Sequence, residues 1–277
     1  MTPRQCLRWA ENQLASKDDD PAACRWLLCG VTGWSTAKLF GAMDDPLPAQ
    51  WESLFRAGVL RLIKGEPVQY ILGAWLFCGF EFKVDKRALI PRPETELLVE
   101  KALEALVPGK ACRVADVGCG TGCIGLSLGK LRPQARVTLL DISLEALALS
   151  QENGLCLGVS ARFERWDMRQ GPLPGAPYGM IVSNPPYIPR VEVEELALRV
   201  RGYEPRLALE GGDDGLDFYR ALAARGADSL APGGMMLCEL GIGQAQDVSG
   251  LMGALFGEMQ VWPDMEGIPR IWAGKKK

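Results

Sequence analysis

Cys112-Arg113-Val114-Ala115-Asp116-Val117-Gly118-Cys119-Gly120-Thr121-Gly122-Cys123-Ile124-Gly125-Leu126-Ser127-Leu128-Gly129-Lys130 is the stretch on which the fold turns. Cys112 to Val117 reads as a short buried strand, and the three glycines after it as a turn. Cys123 to Lys130 then reads as a helix. Strand, glycine-rich turn and helix in this order make the opening unit of a parallel sheet, and a turn without side chains lets a ligand approach the backbone closely. The pattern repeats towards the C-terminus. Arg136 to Leu140 is a second strand ending in Asp141, with a helix from Ser143 to Asn153. Ala161 to Arg165 is a third strand, ending near Trp166-Asp167-Met168, and Tyr178 to Ser183 a fourth. A helix from Asp217 to Leu230, a strand from Gly234 to Leu240 and a helix from Gln244 to Phe256 follow. Two short strands, at 258–263 and 268–273, close the chain. Alternating strands and helices predict a doubly wound, mostly parallel α/β sheet with ligands at the carboxyl ends of its strands.

Towards the N-terminus the texture is different. Cys6, Leu7, Trp9, Ala10 and Leu14 recur at helical spacing within Pro3–Ala15, and Asp20-Pro21 suits the cap and first turn of a second helix. Trp51 to Lys64 is again helical. Gly65-Glu66-Pro67 breaks that helix, and Trp75 to Val84 reads as a β-hairpin around Cys78-Gly79, with Phe77, Phe80, Phe82 and Val84 as its apolar positions. An extended segment, Ile90-Pro91-Arg92-Pro93, then feeds a helix running to about Leu106. Glu94 or Thr95 is the expected cap, and Glu96 suits the first turn. The division this predicts is a small helical domain over 1–73, a hairpin linker over 74–93 and the α/β domain over 94–277.

Composition narrows the chemistry. With 277 residues, one large domain and a smaller one are expected. There is no histidine, which removes imidazole bases, Ser-His and Cys-His nucleophiles and histidine-held metals together. The nine cysteines are odd in number and scattered, so reduced, mostly buried thiols are expected and no metal site. A net charge of −3 argues against a basic face for long nucleic acid. Neither a signal-peptide pattern nor a membrane-length apolar run is present, and a cytoplasmic protein is expected.

The second informative stretch is Asn184-Pro185-Pro186-Tyr187, at the end of the fourth strand. The two prolines stiffen the backbone and remove two N–H groups, so carbonyl oxygens can be offered without competing donors. Asn184 adds a side-chain carbonyl and NH2, and Tyr187 a flat wall with a polar tip. Such a group can hold a planar NH2 between two acceptors. The glycine turn by itself suits nucleosides in general, with Asp141 placed about twenty residues on to meet a ribose diol. Its spacing, Gly118-x-Gly120-x-Gly122, departs from the dinucleotide form. An amino-gripping site at the fourth strand favours methyl transfer to nitrogen over hydride transfer.

Asp116 to Gly122 with Asp141 resembles the S-adenosylmethionine site of class I methyltransferases, and Asn184-Pro185-Pro186-Tyr187 resembles the acceptor site of amino-group N-methyltransferases. Glu66 to Gly73, Leu89 to Glu96 and Glu204 to Leu209 make the chain similar, over nearly its whole length, to the peptide chain release factor glutamine N5-methyltransferases. The resemblance implies a class I methyltransferase fold with S-adenosyl-L-methionine as cofactor. It implies methylation of the side-chain amide of the glutamine in a Gly-Gly-Gln loop of class 1 release factors. The cofactor would be held by Asp116, Gly118, Cys119, Gly120, Thr121, Gly122, Asp141, Asp167, Met168 and Asn184. Cys119 and Cys123 depart from the residues expected there, and neither needs to reach the cofactor with its side chain. Asn184, Pro185, Pro186 and Tyr187 would be catalytic and would bind substrate, with Arg92 and Pro93 in a strap over the pocket. The helical domain would recognise the substrate protein. A monomer without direct nucleic-acid binding is expected. The nearest alternative is an N-methyltransferase acting on an exocyclic amino group of a base in DNA or RNA, which also uses an Asn-Pro-Pro-aromatic site. A Glu210–Gly215 turn, with Asp213 or Asp214 capping the next helix, completes these expectations.

Overall fold

In a computed structural model, residues 1–14 and 21–277 are described; the expected cap at Asp20 and the end of the first expected helix at Ala15 lie outside the described residues. The chain divides into two units, Met1–Ala74 with Leu196–Tyr203, and Trp75–Glu195 with Glu204–Lys277. No helix among the described residues is long and apolar enough to cross a membrane.

The first unit is helical: α1 (Pro3–Gln13), α2 (Pro21–Thr32), α3 (Thr36–Gly41), α4 (Ala49–Ile63) and α5 (Val68–Leu72). A capping box starts α1. Thr2 Oγ1 accepts from the Gln5 N–H at 3.3 Å, and Gln5 Oε1 accepts from the Thr2 N–H at 3.0 Å. The helical spacing read from the sequence puts Cys6, Leu7 and Ala10 of α1 against Leu27 and Leu28 of α2 and Phe55, Val59 and Leu62 of α4.

The second unit opens with the hairpin, β1 (Ala74–Phe77) and β2 (Phe80–Lys83). Cys78 and Gly79 turn it with φ of 50° and 77°. The hairpin is not a free linker. Phe77 and Phe82 meet edge to face at 6.1 Å and are buried in the core of the larger unit.

Then follow α6 (Glu96–Ala105), β3 (Cys112–Val117), α7 (Cys123–Leu131), β4 (Ala135–Asp141), α8 (Leu144–Leu157), β5 (Arg162–Arg165) and β6 (Tyr178–Ser183). A short helix, α9 (Arg190–Val193), and α10 (Leu198–Arg201), which belongs to the first unit, precede α11 (Asp217–Ala221) and α12 (Ala227–Ser229). The last elements are β7 (Leu230–Glu239), α13 (Ala245–Met252), β8 (Phe256–Pro263) and β9 (Pro269–Lys276). The seven-stranded sheet has the order β5-β4-β3-β6-β7-β9-β8. Neighbours from β5 to β7 are parallel, and β9 runs antiparallel to both β7 and β8. Successive side chains on a strand face opposite ways, so the sheet builds two cores. Val114, Met180, Val182 and Leu237 enter one core; Ala115, Ile181, Met236 and Cys238 enter the other. Strand order reverses between β3 and β6, which opens a crevice at the carboxyl ends of these two strands.

Several details differ from expectation, among them that α8 runs on to Leu157 and β9 to Lys276. The helical run over 217–229 contains a π-helical turn at Leu222–Gly226, and β7 begins at Leu230 instead of Gly234. Helix α13 stops at Met252, because Phe256 already pairs with Lys276 in the sheet and stacks edge-on against Trp272 at 5.5 Å. Helix α11 has no side-chain cap; Asp214 accepts instead from the Leu216 N–H at 3.1 Å and pairs with Arg220.

Candidate active site

The loop after β3 is held by its own backbone and by the end of β4. The Gly118 and Cys119 N–H groups donate to Leu140 O at 2.8 and 3.1 Å, and Gly122 N–H donates to Cys119 O at 2.7 Å. Gly122 sits at φ 80°, where a Cβ would come within 2.9 Å of Leu126 and Leu139 and 3.0 Å of Ser150, so only glycine starts α7 in this way. Asp116 lies behind the loop. It is fully buried, one oxygen accepts from the Gly125 N–H at 2.8 Å, and the other has no hydrogen-bond partner among the described residues. Burial pushes its pKa up to about 7. The residue pins the start of α7 and does not line the cavity.

Asp141, at the tip of β4, accepts from Gly120 N–H through one oxygen and from Ser143 N–H through the other, both at 2.9 Å. Burial raises its pKa, and these backbone donors hold it down. Each oxygen keeps a further lone pair, so the carboxylate can brace the loop and still accept from a diol.

A cavity of about 170 Å³ lies over these strand ends. Gly118, Cys119, Gly120 and Thr121 form one wall with Asp141, and Met168 and Asp167 stand beside them. Ideal Cβ atoms built on Gly118 and Gly120 would meet only Met168 Cε at 3.8 Å and Ala88 Cβ at 3.7 Å, so this wall is bare backbone facing open space. Asp167 is already clasped by Arg169, whose Nε and Nη2 donate to its two oxygens at 3.0 Å. The buried thiols of Cys119 and Cys123 are pushed up by desolvation and are poor nucleophiles.

Asn184 and Pro186, just past β6, form a second wall of the same cavity. Asn184 Nδ2 donates to Thr95 Oγ1 at 3.2 Å, and Thr95 Oγ1 donates to Glu239 Oε2 at 2.6 Å. This corrects the expected cap: the Thr95 hydroxyl serves Glu239 and Asn184 and makes no cap bond to α6. Pro185 is buried behind the wall and Pro93 is exposed outside it. Tyr187 also lies off the wall. Its ring packs into the core on the α11 side, its carbonyl accepts from Gln244 Nε2 at 3.0 Å, and burial raises its phenol pKa. Of the residues expected at the site, Pro185, Pro93, Tyr187 and Gly122 are not in the lining of the cavity.

Arg92 does line the cavity and is held by Glu204, a carboxylate with 1% of its side chain exposed that also accepts the Ile90 N–H at 3.0 Å. The segment after Glu204 reaches the cavity through Pro205, Leu207 and Ala208, because Ile188 bridges to Glu210 in a short parallel pairing. The sequence marked Leu89–Glu96 and Glu204–Leu209 as stretches and Thr95 as a helix cap, and pointed to no role for Trp166, Arg169 or Glu239. The one available signal was Glu239 itself, a carboxylate at the end of an apolar strand.

Residues 5–73 match the family described as PrmC N-terminal domain, and residues 93–199 match Methyltransferase small domain. A release factor glutamine methyltransferase of Geobacter sulfurreducens is 40% identical over 99% of this chain and 96% of its own. One of Bradyrhizobium diazoefficiens is 42% identical over 100% and 99%. Among solved structures, a methyltransferase from Pyrococcus furiosus aligns with a TM-score of 0.54 at 16% identity, covering 80% of this chain and 97% of that one. A 16S rRNA N2 methyltransferase from T. thermophilus, solved with AdoMet and guanosine, aligns with a TM-score of 0.52 at 20% identity, covering 74% of this chain and 50% of that one. At these identities the two structures share the fold.

Proposed function

This chain belongs to the release factor glutamine methyltransferase family, and from that premise we propose that it methylates the side-chain amide nitrogen of the glutamine in a Gly-Gly-Gln loop of class 1 release factors, using S-adenosylmethionine. The observation that carries this reading is the pairing of two walls in one cavity: bare glycine backbone with Asp141 in one, Asn184 and Pro186 in the other. The backbone wall suits a nucleoside whose ribose meets Asp141 and whose adenine packs near Met168. The Asn184 wall suits an amide NH2.

An amide nitrogen is a poor nucleophile because its lone pair is delocalised into the carbonyl. Asn184 Oδ1 and a main-chain carbonyl of the Asn184-Pro185-Pro186 segment would accept its two hydrogens and turn the nitrogen's face towards the methyl group, at roughly 3–3.5 Å. S-adenosylmethionine, when bound, supplies the methyl carbon: the new C–N bond takes the nitrogen pair, and the pair of the broken C–S bond goes to sulfur. The proton of the methylated nitrogen leaves to solvent from a strongly acidic cation, so the absence of histidine is no obstacle. Apolar walls such as Ile90, Met168 and Phe218 exclude water from a step in which positive charge disperses. Catalysis is positioning.

Transfer of labelled methyl to a purified release factor, and to the same factor with its Gly-Gly-Gln glutamine changed to alanine, tests this. Label on the first alone is expected. Label on nucleic acid and on neither protein would replace the reading with base methylation. The same proposal includes a cytoplasmic monomer that does not bind nucleic acid directly, with the helical first unit recognising the release factor.

A further inference from the structure

We infer that Glu239 and Thr95 are positioning residues for this reaction: they fix which end of the Asn184 amide faces the substrate. The inference rests on the role proposed above for Asn184. An asparagine amide has two ends of nearly the same shape, one a double acceptor and one a double donor. Only the oxygen end can receive a hydrogen from a substrate NH2; with the amide turned over, two donors would face each other. Something must therefore choose the orientation.

The hydrogen-bond directions choose it from the buried end outward. Ionised Glu239 can only accept, so the single hydrogen of Thr95 Oγ1 goes to Glu239 Oε2, at 2.6 Å. Thr95 Oγ1 is then left with lone pairs only, and the atom that reaches it at 3.2 Å is Asn184 Nδ2, a donor. Oδ1 is left for the cavity that Asn184 lines. The three residues come from β7, from the turn before α6 and from the end of β6, and no local structure requires them to meet. Glu239 is 0% exposed, and its second oxygen has no hydrogen-bond partner among the described residues. A carboxylate buried in this way opposes folding unless it serves something else.

Protonation would undo the choice. A neutral Glu239 carboxyl can donate to Thr95, which frees the threonine hydrogen for Asn184 Oδ1 and turns the amide round. Burial and Glu94 push Glu239 up to about 7, against the pull of the Thr95 hydroxyl, Arg270 and the Asn184 amide. The other titratable groups facing it are Tyr187, Tyr219, Cys238 and Cys123, all shifted upward and therefore neutral near pH 7. Orientation thus depends on Glu239 being ionised.

The test compares T95V, T95S, E239Q and N184A in the full-length enzyme with a release factor as acceptor. T95V should lose at least about tenfold in kcat while the Kd for S-adenosylmethionine stays within about threefold, and T95S should recover most of the loss. Wild-type kcat should fall as pH drops from about 8 to about 6, and E239Q should lose that limb. Without any ligand, the Asn184 side-chain NH2 resonances, assigned by their absence in N184A, should titrate with Glu239 in the wild type and not in E239Q. Wild-type kcat in T95V, or a low-pH limb kept unchanged in E239Q, beside an inactive N184A would overturn the inference and leave the Asn184 reading standing. A fully active N184A would remove both. Should T95V or E239Q fail to fold, a flat wild-type pH profile together with untitrating Asn184 resonances would overturn the inference.

Discussion

The two walls of the cavity are built on opposite principles. The loop over Gly118–Gly122 is a backbone device: its shape comes from positive φ values, from N–H groups tied to Leu140 and Asp141, and from the absence of side chains. The Asn184 wall is a side-chain device, whose one decisive amide is aimed by two residues 89 and 144 positions away from their partners in sequence. A backbone device carries stability and function together. A side-chain device can lose function and keep its fold. Substitutions on the two walls should therefore fail in different ways.

Asn184→Ala tests this most severely. Turnover should drop by roughly 10²–10³-fold, the scale of losing one transition-state hydrogen bond, with the melting temperature and cofactor affinity nearly unchanged. A variant that is both inactive and poorly folded would break the contrast. On the other wall, Gly122→Ala should cost about 2–4 kcal/mol of stability in a denaturant titration, because a left-handed backbone acquires a Cβ that has no room. A Gly122→Ala enzyme as stable as the wild type would show that the loop can adjust.

Asp141→Ala comes next. It should weaken S-adenosylmethionine roughly 10- to 100-fold in calorimetry, as expected for a lost hydrogen bond to a charged group. It should also lower the melting temperature of the ligand-free enzyme, since Gly120 and Ser143 lose their acceptors. Unchanged affinity would remove the ribose role, and an unchanged melting temperature would remove the bracing role.

The smallest effect concerns pH. Asp116 and Glu239 have folded pKa values raised to about 7, well above ordinary carboxylates. Between the ordinary carboxylate range and about 7 the folded state holds protons that the unfolded state has released, so stability should rise as pH falls from about 8 to about 5. Below about 4 the trend should reverse, because Glu152 and Asp214 are held at about 2 by Arg87 and Arg220. Melting curves across this range check the sign. Asp116→Asn should flatten the upper limb, and a curve that stays flat in the wild type would show that neither carboxylate is perturbed as described. Activity and stability should move in opposite directions near neutrality, because ionised Glu239 costs stability while it orients Asn184.

The backbone wall was legible in the sequence for the same reason that it is rigid. Glycines at 118, 120 and 122 followed by an apolar helix leave few conformations, and an acidic residue after the next strand falls beside them by topology. The Asn184 stretch was legible as chemistry, but its surroundings were not. Thr95 reads as a helix cap because its local neighbours make it one, and Tyr187 reads as a wall because it follows two prolines. In the fold a buried carboxylate captures the Thr95 hydroxyl, and the core on the α11 side captures the Tyr187 ring. Asp116 likewise has surroundings that the motif did not show: period-two alternation turns it towards α7, where it accepts from the Gly125 N–H.

What the sequence by itself determined is what short-range physics controls: the order of strands and helices, the positive-φ turn after β3, the stiff Asn-Pro-Pro segment and the absence of any imidazole. Tertiary structure alone decided which side chains from distant segments meet, and so that Glu239 and Thr95 stand behind Asn184, that the hairpin belongs to the core, and that Glu204 holds the strap through Arg92. Hydrogen-bond direction depends on which partners burial brings together, and no local pattern encodes that.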